Sequence, residues 1–440
     1  MKFTYIFLYL FFLGTVANAQ SGFQFETNRN RVVIPFKLIN NLVFIPITVN
    51  GAELNFLLDT GVEETILLSL DEKEAVNFFN VKKIKLRGLG NDEAIEGLKS
   101  TNNILSTHGL TDKNHDLYIV LDQSFNFSSH VGIPVNGIIG YHFFKNQLVE
   151  INYDRKKLIV YKDNEKNRER INKKFGRLPI TIEKDKPYAS ASVVVSNTEI
   201  PTKLLIDSGN SDALWLFENK ESGIVLPQTN YEDYLGKGFS GDIQGKRTRI
   251  SKLNWGAFEF TSPIIAFPDA SSIKSVTMVT GRAGSIGGEI LKRFCVVFDY
   301  RNNAIFLKKG KEFNAKFDYN MSGIELQNEG LQWVQETVAL QTVAEDNTFN
   351  ANGEKVKNFK YKFSLKPVYA ISNVRKNSPA ERSGLLRGDV IVSINHVTGY
   401  KYTLQQINEL LKSEDGKWLT IEIERDGQIL KFKFQLKSIL

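Results

Sequence analysis

Two short runs of this chain end in the same way. "FLLDTG" occupies residues 56–61 and "LLIDSG" residues 204–209. Each apolar run delivers an aspartate, Asp59 or Asp207, to a hydroxyl residue and a glycine. Taken singly, either is an ordinary turn, because Asp hydrogen-bonds its own backbone and Gly tolerates positive φ. Taken together they offer a chemistry. Two carboxyl groups about 3 Å apart cannot both ionise, so they share one proton. The ionised member can take a proton from water. The protonated member can hydrogen-bond a carbonyl oxygen and stabilise the charge that grows there. That combination hydrolyses an acyl bond without metal, thiol or covalent intermediate.

The spacing says how such a pair could meet. The aspartates are 207 − 59 = 148 residues apart. "GIIGYHFFKNQLVEINYDRKKLIVYK" begins at Gly137 and "GSIGGEILKRFCVVFDYRNNAIFLKK" at Gly284, an offset of 284 − 137 = 147. Between them, "RGLGNDEAIEG" (87–97) corresponds to "GKGFSGDIQG" (236–245), with Gly97 and Gly245 again 148 apart. The leading runs "VVIPFKLINN" and "RLPITIEKDK" also correspond. Landmarks in one order at a near-constant offset describe a duplicated unit, residues 22–162 and 170–310. Runs of period-two alternation such as "VFIPITV" (43–49), broken by Gly, Asn and Asp, make each unit β-rich. If two such lobes pack about a pseudo-twofold axis, their acid-bearing turns meet at that axis. The hydroxyls of Thr60 and Ser208 can then bond backbone across the axis, and Gly61 and Gly209 keep Cβ atoms clear of the carboxylates.

This doubled pattern resembles the aspartic peptidases, and is most similar to their retropepsin-like branch. The match rests on Asp-Thr-Gly and Asp-Ser-Gly, each followed by a glycine-flanked apolar pair (Gly137-Ile138-Ile139-Gly140 and Gly284-Ser285-Ile286-Gly287), and covers about residues 30–310. It implies two closed β-barrel-like acid-protease lobes sharing one active site in a single chain. It further implies Asp59 and Asp207 as the catalytic dyad, with Thr60, Gly61, Ser208 and Gly209 in support. The flaps that close over substrate in that family map onto Leu89 to Gly97 and Phe239 to Gly245, with Leu89, Gly90, Phe239, Ser240 and Gly241 as substrate-contacting candidates. The chain departs from the family where a small residue usually follows the glycine. Val62 and Asn210 stand there, followed by Glu63, Glu64 and Asp212.

Beyond about residue 312 the repeat stops. "NVRKNSPAERSGLLRGDVIVSINHV" (373–397) leads into an amphipathic stretch, "TLQQINELLKS" (403–413), and a hairpin, "WLTIEIERDGQILKFKF", turning at Asp426-Gly427. The SPA-x-x-x-GL-x-x-GD-x-I series is very similar to a PDZ domain. The resemblance implies an α+β module that takes a peptide or protein C-terminus beside one strand. The matching strand is "MSGIEL" (321–326), giving Ser322, Gly323 and Ile324 on one groove wall and Leu404 and Ile407 on the other. A long insertion, about 327–365, separates that strand from the next. A module that only props up the rest of the chain is the alternative.

Other features bound the function. The first residues, "MKFTYIFLYLFFLGTVANAQ", have a short positive start, an apolar run and an Ala-Asn-Ala site. They read as a secretory signal peptide, 1–19, with export to a periplasmic or extracellular space. No later run approaches the roughly 20 apolar residues of a membrane span, so no stable membrane insertion is expected. The single cysteine, Cys295, cannot form an internal disulfide and reads as a buried apolar residue. Five histidines show no metal-ligand spacing, so neither metal nor cofactor is expected. The net charge is +7, and the densest basic run, 154–177, also carries acids and reads as a solvated linker rather than a nucleic-acid site. The expected organisation is a mainly β chain with lobes at 20–165 and 166–312 and a PDZ domain at 313–440. It would be a monomer with internal pseudo-twofold symmetry, an exported aspartic endopeptidase acting on polypeptide. The alternative is an inactive two-lobed peptide-binding scaffold.

Overall fold

The computed structural model describes residues 22–68, 76–86, 95–121, 127–238, 241–274, 279–339, 352 and 359–440. The expected signal peptide lies outside them. The described chain is mainly β, with a few short helices.

The alternation seen in the sequence becomes burial. In the strand Arg31–Pro35, Val32 and Ile34 point inward while their neighbours are exposed. Leu42–Val49 and Ala52–Leu58 form a hairpin through Asn50 and Gly51, both at positive φ (47° and 99°). The matching hairpin, Lys186–Val195 with Thr198–Ile206, turns through Ser196 and Asn197 (48° and 67°). Two consecutive left-handed residues match the twist of paired strands, which explains the Asn and Gly there.

The first hairpin belongs to a nine-stranded sheet and the second to a ten-stranded one. In the first, pairing runs from Leu110–Val120 through Thr65–Leu67, Gly137–Ile139, Ala52–Leu58, Leu42–Val49 and Ile95–Thr107 and back to Leu110–Val120, a closed ring. In the second, no pairing among the described residues joins the ends of the path.

A third sheet joins the lobes. Its six strands run in the order Gly176–Pro179, Ala304–Lys309, Phe294–Asp299, Leu148–Asn152, Lys157–Tyr161 and Arg31–Pro35. At its centre Val149 pairs with Phe298, Glu150 with Val297 and Ile151 with Val296. Since 297 − 150 = 147, Glu150 faces its own counterpart in the repeat, and the pseudo-twofold axis passes through that pair. Phe144, Phe298 and Tyr300 pack ring to ring beside this sheet.

The charged run 154–177 is not a solvated linker. It contains the strand Lys157–Tyr161 and the helix Glu165–Asn172, capped by Asn164, whose side chain accepts from the Asn167 amide. Ile171 and the half-buried Phe175 give this segment an apolar side that packs with Leu148 and Tyr161, while Arg168 pairs with Asp163 and Asp299. Its charges face outward from a folded element.

A fourth, six-stranded sheet carries the C-terminal PDZ domain. The expected insertion is mostly an extension of two of its strands. Ile324–Ala339 and Phe359–Val374 pair antiparallel from Ile324↔Val374 to Ala339↔Phe359. Arg293 ties the second lobe to the approach to this domain. It is buried and donates to the carbonyls of Glu289, Phe313, Ala315 and Lys316, and its guanidinium lies 3.8 Å from the Phe317 ring centre.

Candidate active site

The two acid turns are placed by parallel pairing. Gly137–Ile139 runs parallel to Ala52–Leu58, with Gly137 opposite Phe56 and Ile139 opposite Leu58. One residue on, the Asp59 amide donates to the Ile139 carbonyl at 2.9 Å. The second lobe repeats this, with Gly284 opposite Leu204 and the Asp207 amide donating to the Ile286 carbonyl at 2.8 Å. The glycines of these segments permit the approach. A Cβ on Gly140 would lie 2.1 Å from the Val62 carbonyl oxygen, and one on Gly287 2.3 Å from that of Asp212.

The turns then lock onto each other. The Thr60 amide donates to Ser208 Oγ and the Ser208 amide to Thr60 Oγ1, each at 3.0 Å. The Thr60 hydroxyl donates to the Ile206 carbonyl at 2.6 Å, and the Ser208 hydroxyl to the Leu58 carbonyl at 2.8 Å. All of these bonds are buried, where a polar group must find a partner. The result is a reciprocal clasp about the axis. Within each turn the glycine amide donates back to its aspartate, Gly61 to Asp59 Oδ1 at 2.7 Å and Gly209 to Asp207 Oδ1 at 3.1 Å. A Cβ on Gly209 would sit 2.1 Å from Asp59 Oδ2, and one on Gly61 2.7 Å from Asp207 Oδ1. Asp59, Thr60, Gly61, Asp207, Ser208 and Gly209 therefore form one cluster.

Asp59 is buried and Asp207 half-buried. Burial raises both carboxyls above the usual carboxylate range. The charge of Asp207 pushes Asp59 further, while the Gly61 amide and Lys186 oppose the rise. For Asp207 the strongest opposing influence is the guanidinium of Arg282, followed by the Gly209 amide and Lys186. Burial and mutual repulsion favour one shared proton on the pair; Arg282 acts on Asp207, and Lys186 on both acids.

Sequence reasoning missed these cations, and it missed Tyr300. The Tyr300 ring is buried, its hydroxyl has no partner among the described residues, and burial followed by the charge of Asp59 raises its pKa. The unusual acid Asp212 has a structural explanation. It accepts from Arg247 Nη1 at 2.6 Å and from the Trp215 indole at 2.7 Å, and Arg247 Nε also donates to Asp233.

Among the flap candidates, Leu89, Gly90, Phe239 and Ser240 lie outside the described residues. Gly241 opens the strand Gly241–Arg249, which pairs with Asn230–Gly238. The corresponding hairpin of the first lobe pairs Lys82–Leu86 with Ile95–Thr107. Of the histidines, His115 is buried between Asp112 and Thr65. No group of His, Cys, Asp and Glu among the described residues could hold a metal ion. Cys295 is buried, and its thiol, pushed up by burial and by Glu150, donates to Glu150 Oε1.

The PDZ groove residues stand together but are covered. Ser322, Gly323, Ile324, Leu404 and Ile407 are all buried. Gly323 takes positive φ (85°), and a Cβ there would strike the Ser378 side chain at 2.2 Å. The helix Leu404–Leu411 begins with a capping box between Thr403 and Gln406, which explains its start. The strand Ile324–Ala339 packs against this helix and also against Phe127–Val131, a short helix of the first lobe. Next along, Gly132 backs onto Leu404, 3.1 Å from where a Cβ would lie. A cavity of about 920 Å³ lies beside this contact, lined by Ser128 to Pro134, Gln327 to Leu331, Pro367, Tyr369 and Thr403 to Gln405.

A family profile described as "PDZ domain" matches residues 371–425. The match begins near the end of the ribbon's second strand, Phe359–Val374, and includes the helix Leu404–Leu411. No curated protein matches the chain. Among solved structures, the aspartic proteinase from Irpex lacteus is similar, with 14% identity over 65% of this chain and 99% of that one, at a TM-score of 0.44.

Proposed function

We propose that the chain is an exported aspartic-type endopeptidase in which Asp59 and Asp207 activate water against a peptide bond. One observation carries this reading: two aspartates from equivalent turns stand against each other at a clasped pseudo-twofold axis.

The cations beside Asp207 divide the roles. The charge of Arg282 acts on Asp207 and favours its ionised form, which leaves the shared proton to Asp59. Asp207 takes a proton from water as its oxygen adds to the peptide carbonyl carbon. Asp59 gives its proton to the carbonyl oxygen, forming a neutral gem-diol. In collapse, the gem-diol returns a proton to Asp59, the C–N bond breaks, and Asp207 protonates the departing amine. The products are a carboxylic acid and an amine, and the dyad is restored.

The test is incubation of the purified chain with a diverse peptide library from pH 4 to 9, read by mass spectrometry. Internal cleavage without a covalent acyl adduct on the quenched protein is expected. Absence of cleavage across the library would overturn the reading.

The PDZ domain would take a polypeptide C-terminus in the groove that Phe127–Val131 now faces. Capture and packing of that helix then compete, and a ligand binds in proportion to the open population. Phe127→Ser should loosen the helix and tighten binding of a labelled peptide with a free C-terminal carboxylate by about tenfold. Equal binding by both proteins, or equal competition from the C-terminal amide, would leave the domain as a brace only.

A further inference from the structure

The surroundings of the dyad are unequal in a way that the duplicated backbone exposes. Phe44 lies opposite Leu57, and Tyr188 opposite Leu205, each partner standing two residues before its aspartate. Leu42 and Lys186, two residues earlier on those strands, therefore occupy equivalent places. Gly137 and Gly284 are likewise equivalent by pairing with Phe56 and Leu204. Two residues before them stand Val135 and Arg282. On the first-lobe side both places are apolar, and Leu42 and Val135 are buried in one cluster with Phe44, Leu57 and Ile138. On the second-lobe side both are cations.

Neither cation has a protein acid to itself. Arg282 is half-buried, with Nε donating to the Gly284 carbonyl at 3.2 Å and the guanidinium 5.2 Å from the Phe217 ring centre. These contacts fix its plane and leave its two terminal amino groups without a carboxylate among the described residues. The Lys186 ammonium has no hydrogen bond or ion pair among the described residues, though its backbone pairs with Glu183. The nearby acids are engaged. Glu183 pairs with Lys203 at 2.6 Å, and Asp185 faces Tyr141, His142 and Lys145 of the first lobe. Both cations act on Asp207, and Lys186 also on Asp59. A partly desolvated guanidinium held flat, with its fork unpaired, suits bidentate recognition of a carboxylate. Placing two such groups beside an acid that must stay ionised also serves the chemistry, but one cation would suffice for that.

Resting on the peptidase reading above, we propose that Lys186 and Arg282 form a subsite that takes the side-chain carboxylate of a substrate Asp or Glu next to the bond being cut, on the second-lobe side of the dyad. The enzyme then selects acidic polypeptide, while the equivalent places across the axis, filled by buried Leu42 and Val135, offer a carboxylate no partner. The chain's own positive net charge of +7 favours the same substrates at longer range.

The experiment uses peptide pairs that differ only by Glu against Gln at each position around a cleaved bond. For wild type, kcat/KM for the Glu member at one position should exceed that for the Gln member by about 10- to 100-fold, more at low salt. Arg282→Met should bring the ratio near one. The double variant Lys186→Glu, Arg282→Glu should invert it in favour of a Lys-bearing peptide. A wild-type ratio near one at every position, with cleavage intact, overturns the subsite and leaves the peptidase reading standing. Binding of the same pairs to the full-length chain, measured by calorimetry, separates the two ideas. If no peptide is cut but the Glu member still binds more tightly, and Arg282→Met abolishes the difference, the subsite stands and the hydrolase falls. Equal binding together with no cleavage removes both.

Discussion

Asp59→Asn is expected to reduce peptide cleavage by at least about 10³-fold while making the folded protein more stable at neutral pH. Both effects come from one carboxyl. Asparagine keeps an oxygen that can accept from the Gly61 amide, and it fills the same volume. It cannot carry the proton that the proposed mechanism assigns to Asp59. The stability change follows from burial. Burial and the charge of Asp207 push Asp59 up to about 8. An unfolded aspartate titrates near 4, so between about pH 4 and 8 the folded protein holds a proton that the unfolded chain has released. Folded stability therefore falls as pH rises through that window. The variant escapes this loss. Its advantage should be absent near pH 4 and grow by on the order of 1 kcal/mol per pH unit to a few kcal/mol, several degrees in Tm, by pH 8. The wild-type kcat should fall above about pH 8, as the pair loses its shared proton. Peptide turnover and thermal melts across this pH range check all three statements. A variant that still cleaves, or whose Tm advantage does not change with pH, contradicts the assignment.

Gly140→Ala is expected to be nearly as damaging to activity without touching a charge. The added methyl would meet two backbone oxygens, Val62 at 2.1 Å and Asp59 at 2.7 Å. Neither is the free end of a flexible side chain, so the acid turn itself must move. The Val62 carbonyl also accepts from the Tyr141 amide at 3.1 Å, which ties the turn to the following helix. A displacement on the order of 1 Å at a catalytic group reduces rate by about 100-fold, and overpacking of this kind destabilises by about 1–3 kcal/mol. Gly176→Ala is the control, because the nearest atom to its added methyl would be the Leu307 carbonyl oxygen at an ordinary 3.6 Å. Paired measurements of kcat/KM and urea midpoint decide. If Gly140→Ala behaves like Gly176→Ala, the turn is less constrained than the packing indicates.

How much of this was legible in the sequence depends on distance along the chain. The acids, their hydroxyl and glycine neighbours, and the Gly-x-Ile-Gly segments each form a local pattern. Repeating that pattern at a near-constant offset also made the pairing of the turns legible. The C-terminal module could be read for the same reason, since its cap, glycines and hairpin turn are close neighbours. The cations could not be read. Lys186 and Arg282 lie far apart in sequence and approach Asp207 only because separate strands pair beside it. Asp212 looked like a feature of the pocket, but Arg247 and Trp215, which hold it, arrive on other strands. The run 154–177 was misread because charge density hid its few apolar positions, Ile171 among them. The insertion looked like an interruption. Its two sides alternate in step, and pairing across many residues is invisible to a one-dimensional scan.

The pairing of Glu150 with Val297 bears on why the two halves share one polypeptide. In a symmetric dimer of the first half alone, the residue on the axis would confront its own copy, and two buried glutamates would repel. Covalent linkage lets that place hold a glutamate on one side and a valine on the other. Glu150 is then free to accept from the Tyr161 hydroxyl and the Cys295 thiol. The same freedom lets one flank of the acid pair become greasy and the other electropositive. Under the proposed function, a bound chain would then be read in one direction only, a polarity that no assembly of identical halves can provide.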